Sequence, residues 1–219
     1  MRQIATSIGI VGVLAGLLAG LQSRPAYGYI NTNRPETLGT MCARSDSIAV
    51  LKVEKLSKDK GVIIYTKVKD LKGTFPVDRL REILGSAHEA HEKKHYLGWA
   101  EEGKVAVCFN YKNRVALCIG DQWTVCEDPN GPPKDKAETW SVTTRTEPFF
   151  AQSYFGDAEK LQTAVVDILA EKEVVVPCMD GGRDKELRER KGEMVRMRTS
   201  LKIKEYDLKR DRVKDEPKK

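Results

Sequence analysis

Hydrophobic and polar positions alternate with a period of two over two neighbouring stretches. Residues 48–56 (IAVLKVEKL) place Ala49, Leu51 and Val53 on one side, and residues 62–71 (VIIYTKVKDL) do the same with Val62, Ile64, Thr66 and Val68. Period-two patterning rich in β-branched residues predicts strands. The polar link 57–61 ends in Gly61 and predicts a hairpin. A second hairpin is predicted from 105–109 (VAVCF) and 114–119 (RVALCI), around Tyr111, Lys112 and Asn113. Shorter strands are expected at 122–126 and 139–144, on either side of the Pro/Gly loop 128–136, and at 173–178, closed by Pro177.

The period changes at residues 157–172. Leu161, Val165, Ile168 and Leu169 form one stripe, and Asp157 stands where an N-cap is needed, so a helix packed on the sheet is expected. A second helix, 185–201, is expected from the thin seam of Leu187, Met194, Met197 and Leu201. The fold class is α+β, mostly β: a small curled antiparallel sheet or OB-like partial barrel with one packed helix and a C-terminal charged helix.

Charge then divides the chain. Residues 183–219 hold 15 Lys and Arg against 9 Asp and Glu, a net +6 that equals the formal charge of the whole protein. The remainder balances, 23 against 23. The basic character therefore belongs to a tail, 183–219, which is suited to an anionic envelope surface. At the other end, Arg2, the apolar run 8–21 and the small residues Ala26 and Gly28 follow the order of a signal peptide. That run is shorter than the roughly 18 to 20 residues a spanning helix needs. The expected organisation is a signal peptide at 1–28, a compact domain at 29–182 and a charged helical tail at 183–219. The mature protein is expected to be periplasmic or extracellular, with no transmembrane anchor after cleavage and no nucleic-acid partner.

Export changes the reading of the cysteines. Cys42, Cys108, Cys118, Cys126 and Cys178 all follow the apolar run, and an oxidising compartment favours disulfides. Five is odd, so at least one is free or joined to another chain. Cys108 and Cys118 are a candidate pair if the register of their hairpin brings them face to face.

The remaining chemistry is concentrated in HEAHEKKHYLGWAEEG, residues 88–103, which holds all three histidines. His91 and His95 flank Glu92 in an H-E-x-x-H pattern. On a helix two imidazoles at that spacing share a face and hold Zn²⁺, while the glutamate activates a metal-bound water. Glu101 or His88 would be the third ligand. Against a peptidase, Lys93 and Lys94 lie inside the motif, only Ala87, Ala90 and Leu97 offer an apolar back, and Glu89 and Lys93 make the i,i+4 pair of a solvated helix. Three readings stay open: an exposed connector with no metal, a non-catalytic zinc site on His91 and His95, and a zinc metallopeptidase with Glu92 as its base. Separately, Trp99, Trp123, Trp140, Phe149, Phe150, Tyr154 and Phe155 serve either as core or as the face of a sugar- or protease-binding barrel.

The stretches MCARSDSIAVLKVEKLSKDKGVIIYTKVKDLKG, YLGWAEEGKVAVCF, ALCIGDQW, EPFFAQSYFG, LAEKEVVVPCM and RMRTSLKIKEYDLKRD, in that order, resemble a family of exported, uncharacterised proteins of planctomycete bacteria. The resemblance runs from about Leu38 to Arg212 and implies export without an assigned activity. Cys42 ahead of a hairpin that ends in VKDLKG, followed by EEGKVAVCF, is also similar to the netrin-like, OB-type barrel of tissue inhibitors of metalloproteinases. In those inhibitors the N-terminal cysteine chelates the protease metal. Here Cys42 lies within the chain, so its amide nitrogen is no free amine. The expected role is a non-enzymatic structural or interaction module of the cell envelope, with the zinc and sugar- or protease-binding readings as alternatives.

Overall fold

The computed structural model describes residues 36–84, 96–181 and 191–214, all within one compact unit. Residues 1–35, with the apolar N-terminal run, lie outside the described residues. The seven strands β1 (Ser47–Ser57), β2 (Val62–Lys72), β3 (Arg79–Leu84), β4 (Val105–Tyr111), β5 (Arg114–Ile119), β6 (Gln122–Glu127) and β7 (Thr139–Thr146) close into a barrel of order β1-β2-β3-β7-β6-β5-β4. Every pair is antiparallel except β3 with β7. The sheet is therefore more than curled: β4 pairs with β1, and closure leaves no open edge.

Alternation along the strands builds two cores. Ala49, Leu51 and Val53 of β1, Ala106 and Cys108 of β4, Val115 and Leu117 of β5 and Trp140 and Val142 of β7 fill the barrel interior. The opposite faces of β4, β5 and β6, carrying Val107, Phe109, Ala116, Cys118, Trp123 and Val125, belong to a second core. Two short helices and a ribbon contribute to that second core. They are α1 (Leu38–Arg44), α2 (Ala158–Leu169), and the antiparallel pair β8 (Val174–Asp180) and β9 (Glu193–Thr199). Helix α2 begins as its sequence predicts: Asp157 Oδ1 accepts from the Lys160 amide at 2.7 Å, and Leu161, Val165 and Ile168 are buried. That amide, donating to the carboxylate, also holds Asp157 below the usual aspartate range.

Two elements escape a reading of the pattern. Strand β3 places Leu80, Glu82 and Leu84 inward, so a carboxylate interrupts its apolar alternation. Helix α1 is only seven residues long and includes a glycine. Its ends are fixed by tertiary partners. Thr37 caps the N-terminus through the Thr40 amide at 3.1 Å. At the other end Lys72 Nζ donates to the carbonyls of Cys42, Ala43 and Ser45 at 2.8, 2.9 and 2.6 Å. A cation there satisfies carbonyls that a helix end leaves open and complements its dipole.

The charged tail is the main correction. Glu193–Thr199 is a strand, not part of a helix over 185–201. Val195, Met197 and Thr199 are buried while Met194, Arg196 and Arg198 face out. The Met194–Met197–Leu201 seam fits a helix by spacing alone, and pairing with the β-branched run of β8 outweighs local propensity. Residues 200–214 then form a strap across the domain. Thr40 Oγ1 donates to the Lys204 carbonyl at 2.8 Å, Thr37 Oγ1 donates to Ile203 O, and Tyr206 is buried. The strap returns along β9, with the Arg198 amide on Asp211 O at 2.7 Å and the Val213 amide on Arg196 O at 2.8 Å.

The expected disulfide is also corrected. All five cysteines are free and buried. In the β4–β5 ladder Cys108 faces Leu117 and Cys118 faces Val107, so the two thiols project to opposite faces of the sheet. Burial pushes the Cys42 and Cys178 thiols up to about 12 and those of Cys108, Cys118 and Cys126 well above the ordinary value. The thiolate is the reactive form. The folded protein at pH 8 should therefore give essentially no rapid reaction with Ellman's reagent, and five thiols should titrate in denaturant. Rapid modification of even one thiol in the native state would contradict this packing.

Candidate functional site

Two polar constellations emerge from the fold, one sealed and one open. The sealed one surrounds Glu82. Inward alternation on β3 aims its carboxylate into the barrel, where it is fully buried. Oε2 accepts from Tyr65 of β2 at 2.8 Å and from Tyr96. Oε1 accepts from Thr144 of β7 at 2.6 Å and from Cys126 of β6 at 3.2 Å. Tyr96 lies in the helical residues 96–99, whose Leu97 and following Ala100 are also buried. Burial, and then the facing carboxylate, raise both tyrosines well above the phenol range, so both remain protonated donors. Tyr65, Tyr96, Cys126 and Thr144 are each no more than 3 % exposed. This cluster has acid–base residue types, and its side chains are closed off from solvent.

The open constellation lies on the outward face of the β8–β9 ribbon and the strap. Alternation sends Pro177 of β8 and Met194 and Arg196 of β9 outward, and the strap adds Leu208, Lys209, Arg212, Val213 and Lys214 to form a groove. Its lining holds four cationic side chains and one carboxylate, Glu193, which accepts from Arg212 at 2.6 Å. Met194 and Leu208 are about half exposed, at 50 % and 46 %. Asp211 anchors this wall. Its carboxylate accepts from Arg210 Nε at 2.7 Å and from the Asp207 amide at 2.8 Å, and these donors, Arg210 first, hold it below the usual carboxylate range.

No family model, curated protein or solved structure matches this chain. His88, His91, Glu92 and His95, the candidate zinc and catalytic residues, lie outside the described residues. Glu101, the candidate third ligand, is exposed and 4.0 Å from Lys104 Nζ. Among the described residues no group of three or more His, Cys, Asp or Glu is arranged to hold a metal.

Of the seven aromatic residues singled out in the sequence, Trp123, Trp140 and Tyr154 are buried, while Trp99, Phe149, Phe150 and Phe155 are half-buried. Trp123 and Tyr154 lie in the outer core and Trp140 in the inner one. Trp123 packs on Phe109 at 5.7 Å and on Phe150 at 5.4 Å between ring centroids, and donates Nε1 to the Tyr154 carbonyl at 2.9 Å. Phe149 and Phe155 pack against Ala151 and Met179. The groove residues have one signal in the sequence, the +6 excess of 183–219. Their gathering on one face depends on the strand and strap that replace the expected helix.

Proposed function

We propose that this protein is a non-enzymatic interaction module of the cell envelope that binds an anionic surface through the groove of its ribbon and strap. The observation that carries this reading is the lining itself, four cations against one carboxylate, formed mostly from the C-terminal segment, whose net +6 equals the formal charge of the whole protein. Clustered positive potential at a concave surface concentrates anionic partners. The acid–base and thiol side chains gathered around Glu82 are sealed in the barrel, where they serve the fold. Export, on this reading, follows from the basic start and short apolar run at the N-terminus.

Each Lys or Arg near an anionic surface contributes about 1 kcal/mol. Replacing Lys209 and Lys214 by Glu should therefore weaken binding to an anionic surface by roughly 30-fold or more. The same double charge reversal at Lys58 and Lys60, exposed in the β1–β2 turn, should have a much smaller effect. Retention on dextran sulfate and on anionic vesicles, measured against salt concentration, tests this. Equal losses from the two double variants would reduce the effect to net charge and remove the groove.

A further inference from the structure

We infer that the anionic partner is the surface of a lipid bilayer, onto which the outward face of the β8–β9 ribbon docks with aliphatic side chains inserted among acidic headgroups. This inference rests on the anionic-surface reading above and names its partner. The described residues contain five exposed large hydrophobic side chains, and three of them, Val175, Met194 and Leu208, lie on the ribbon and strap. Met194 and Leu208 share the groove. Val175 lies two residues before Pro177 on β8, across from Arg198, so strand alternation turns it to the same side.

These aliphatic groups are interleaved with exposed Arg196, Arg198, Lys209, Arg212 and Lys214. A free polyanion, whether polysaccharide or nucleic acid, would use the cations but gains little from exposed Met, Leu and Val. Binding of sugars and bases characteristically uses aromatic platforms, and among the described residues the groove lining has no aromatic side chain. An acidic bilayer rewards both components, because cations meet the headgroups while apolar side chains enter the acyl boundary. No described helix is long and apolar enough to cross a membrane.

The test uses the full chain and three probes: vesicles of phosphatidylcholine mixed with phosphatidylglycerol, vesicles of phosphatidylcholine alone, and dextran sulfate. The protein is expected to sediment with the mixed vesicles and not with the neutral ones, in a salt-sensitive manner. Met194→Ser combined with Leu208→Ser should weaken vesicle binding by roughly tenfold or more, since about two buried side chains' worth of apolar transfer is lost. It should leave dextran sulfate binding unchanged. Val175→Ser provides an independent variant with a smaller loss in the same direction. These positions are exposed, and unchanged thermal melting would establish that the fold is kept. Retention of dextran sulfate with no vesicle binding, or vesicle binding indifferent to all three serines, would overturn the bilayer and leave a soluble or surface polyanion as the partner. Failure to bind either anionic probe would overturn the groove reading as well.

Discussion

Glu82→Ala is expected to lower the unfolding free energy by about 3 kcal/mol, with two opposing effects to weigh. Deleting the side chain removes a buried carboxyl, which by itself is favourable. It also leaves Tyr65 and Tyr96 without their shared acceptor and opens a cavity among residues from β2, β3, β6 and β7. A buried donor stripped of its partner costs about 1–3 kcal/mol. Some of that is recovered, because Cys126 and Thr144 are 3.1 Å apart and the two phenols are 3.5 Å apart. The phenols are essentially unexposed, so the orphaned donors and the cavity prevail. Glu82→Leu, which fills most of the space but accepts no hydrogen bond, should behave like the alanine variant. Glu82→Gln keeps one acceptor oxygen and turns its amide toward hydroxyls that can rotate to accept, for a loss of about 1 kcal/mol. Urea denaturation of the three variants decides the matter. A leucine variant as stable as the parent would mean that the hydroxyls find other partners and that Glu82 does not hold the barrel's interior together.

Gly39→Ala is expected to destabilise the protein by about 3 kcal/mol, against its local propensity. Within a helix, alanine is favoured over glycine by about 1 kcal/mol, and α1 has ordinary helical geometry at this position. The neighbour decides the sign. A Cβ at Gly39 would collide with the Ser200 carbonyl oxygen and stand 2.5 Å from its carbonyl carbon. Backbone cannot rotate away as a flexible side chain can, and overpacking of this kind costs about 1–3 kcal/mol. The Gly39 amide also donates to Thr199 Oγ1 at 3.1 Å, and moving the strap would strain that bond too. Since the strap forms one wall of the cationic groove, Gly39→Ala should also weaken binding to acidic vesicles although it lies outside the groove. A Gly39→Ala protein as stable as the parent, with unaltered vesicle binding, would show that the strap does not need this close approach.

Both residues illustrate how uneven the legibility of the chain is. The β1–β2 and β4–β5 hairpins and helix α2 follow directly from their periodicity, because each has an uninterrupted apolar face and a turn or cap with suitable chemistry. Strand β3 is hidden by the residue that matters most in it, since Glu82 reads as a polar position that should face water. The histidine segment is the opposite case: its spacing is explicit in sequence, yet its zinc and peptidase readings concern residues outside those described. The cysteines could be counted but not paired, because a shift of one position in strand register reverses the face of every side chain.

By itself, then, the sequence determined a mostly β domain with one amphipathic packed helix, and placed the whole charge excess in its last 37 residues. These are local properties, fixed by the spacing of side chains and by summed charge. Closure of the barrel through the parallel β3–β7 pair, the five unpaired thiols, the carboxyl at the barrel's centre and the conversion of the expected tail helix into a strand and strap were decided only by tertiary structure. Each depends on a partner distant in the chain: β7 for β3, the phenols and hydroxyls for Glu82, β8 for β9, and helix α1 for the strap. Burial against those partners outweighs propensities of a few tenths of a kcal/mol per residue, which is why Arg196, Lys209, Arg212 and Lys214 line one groove instead of ringing a solvated helix.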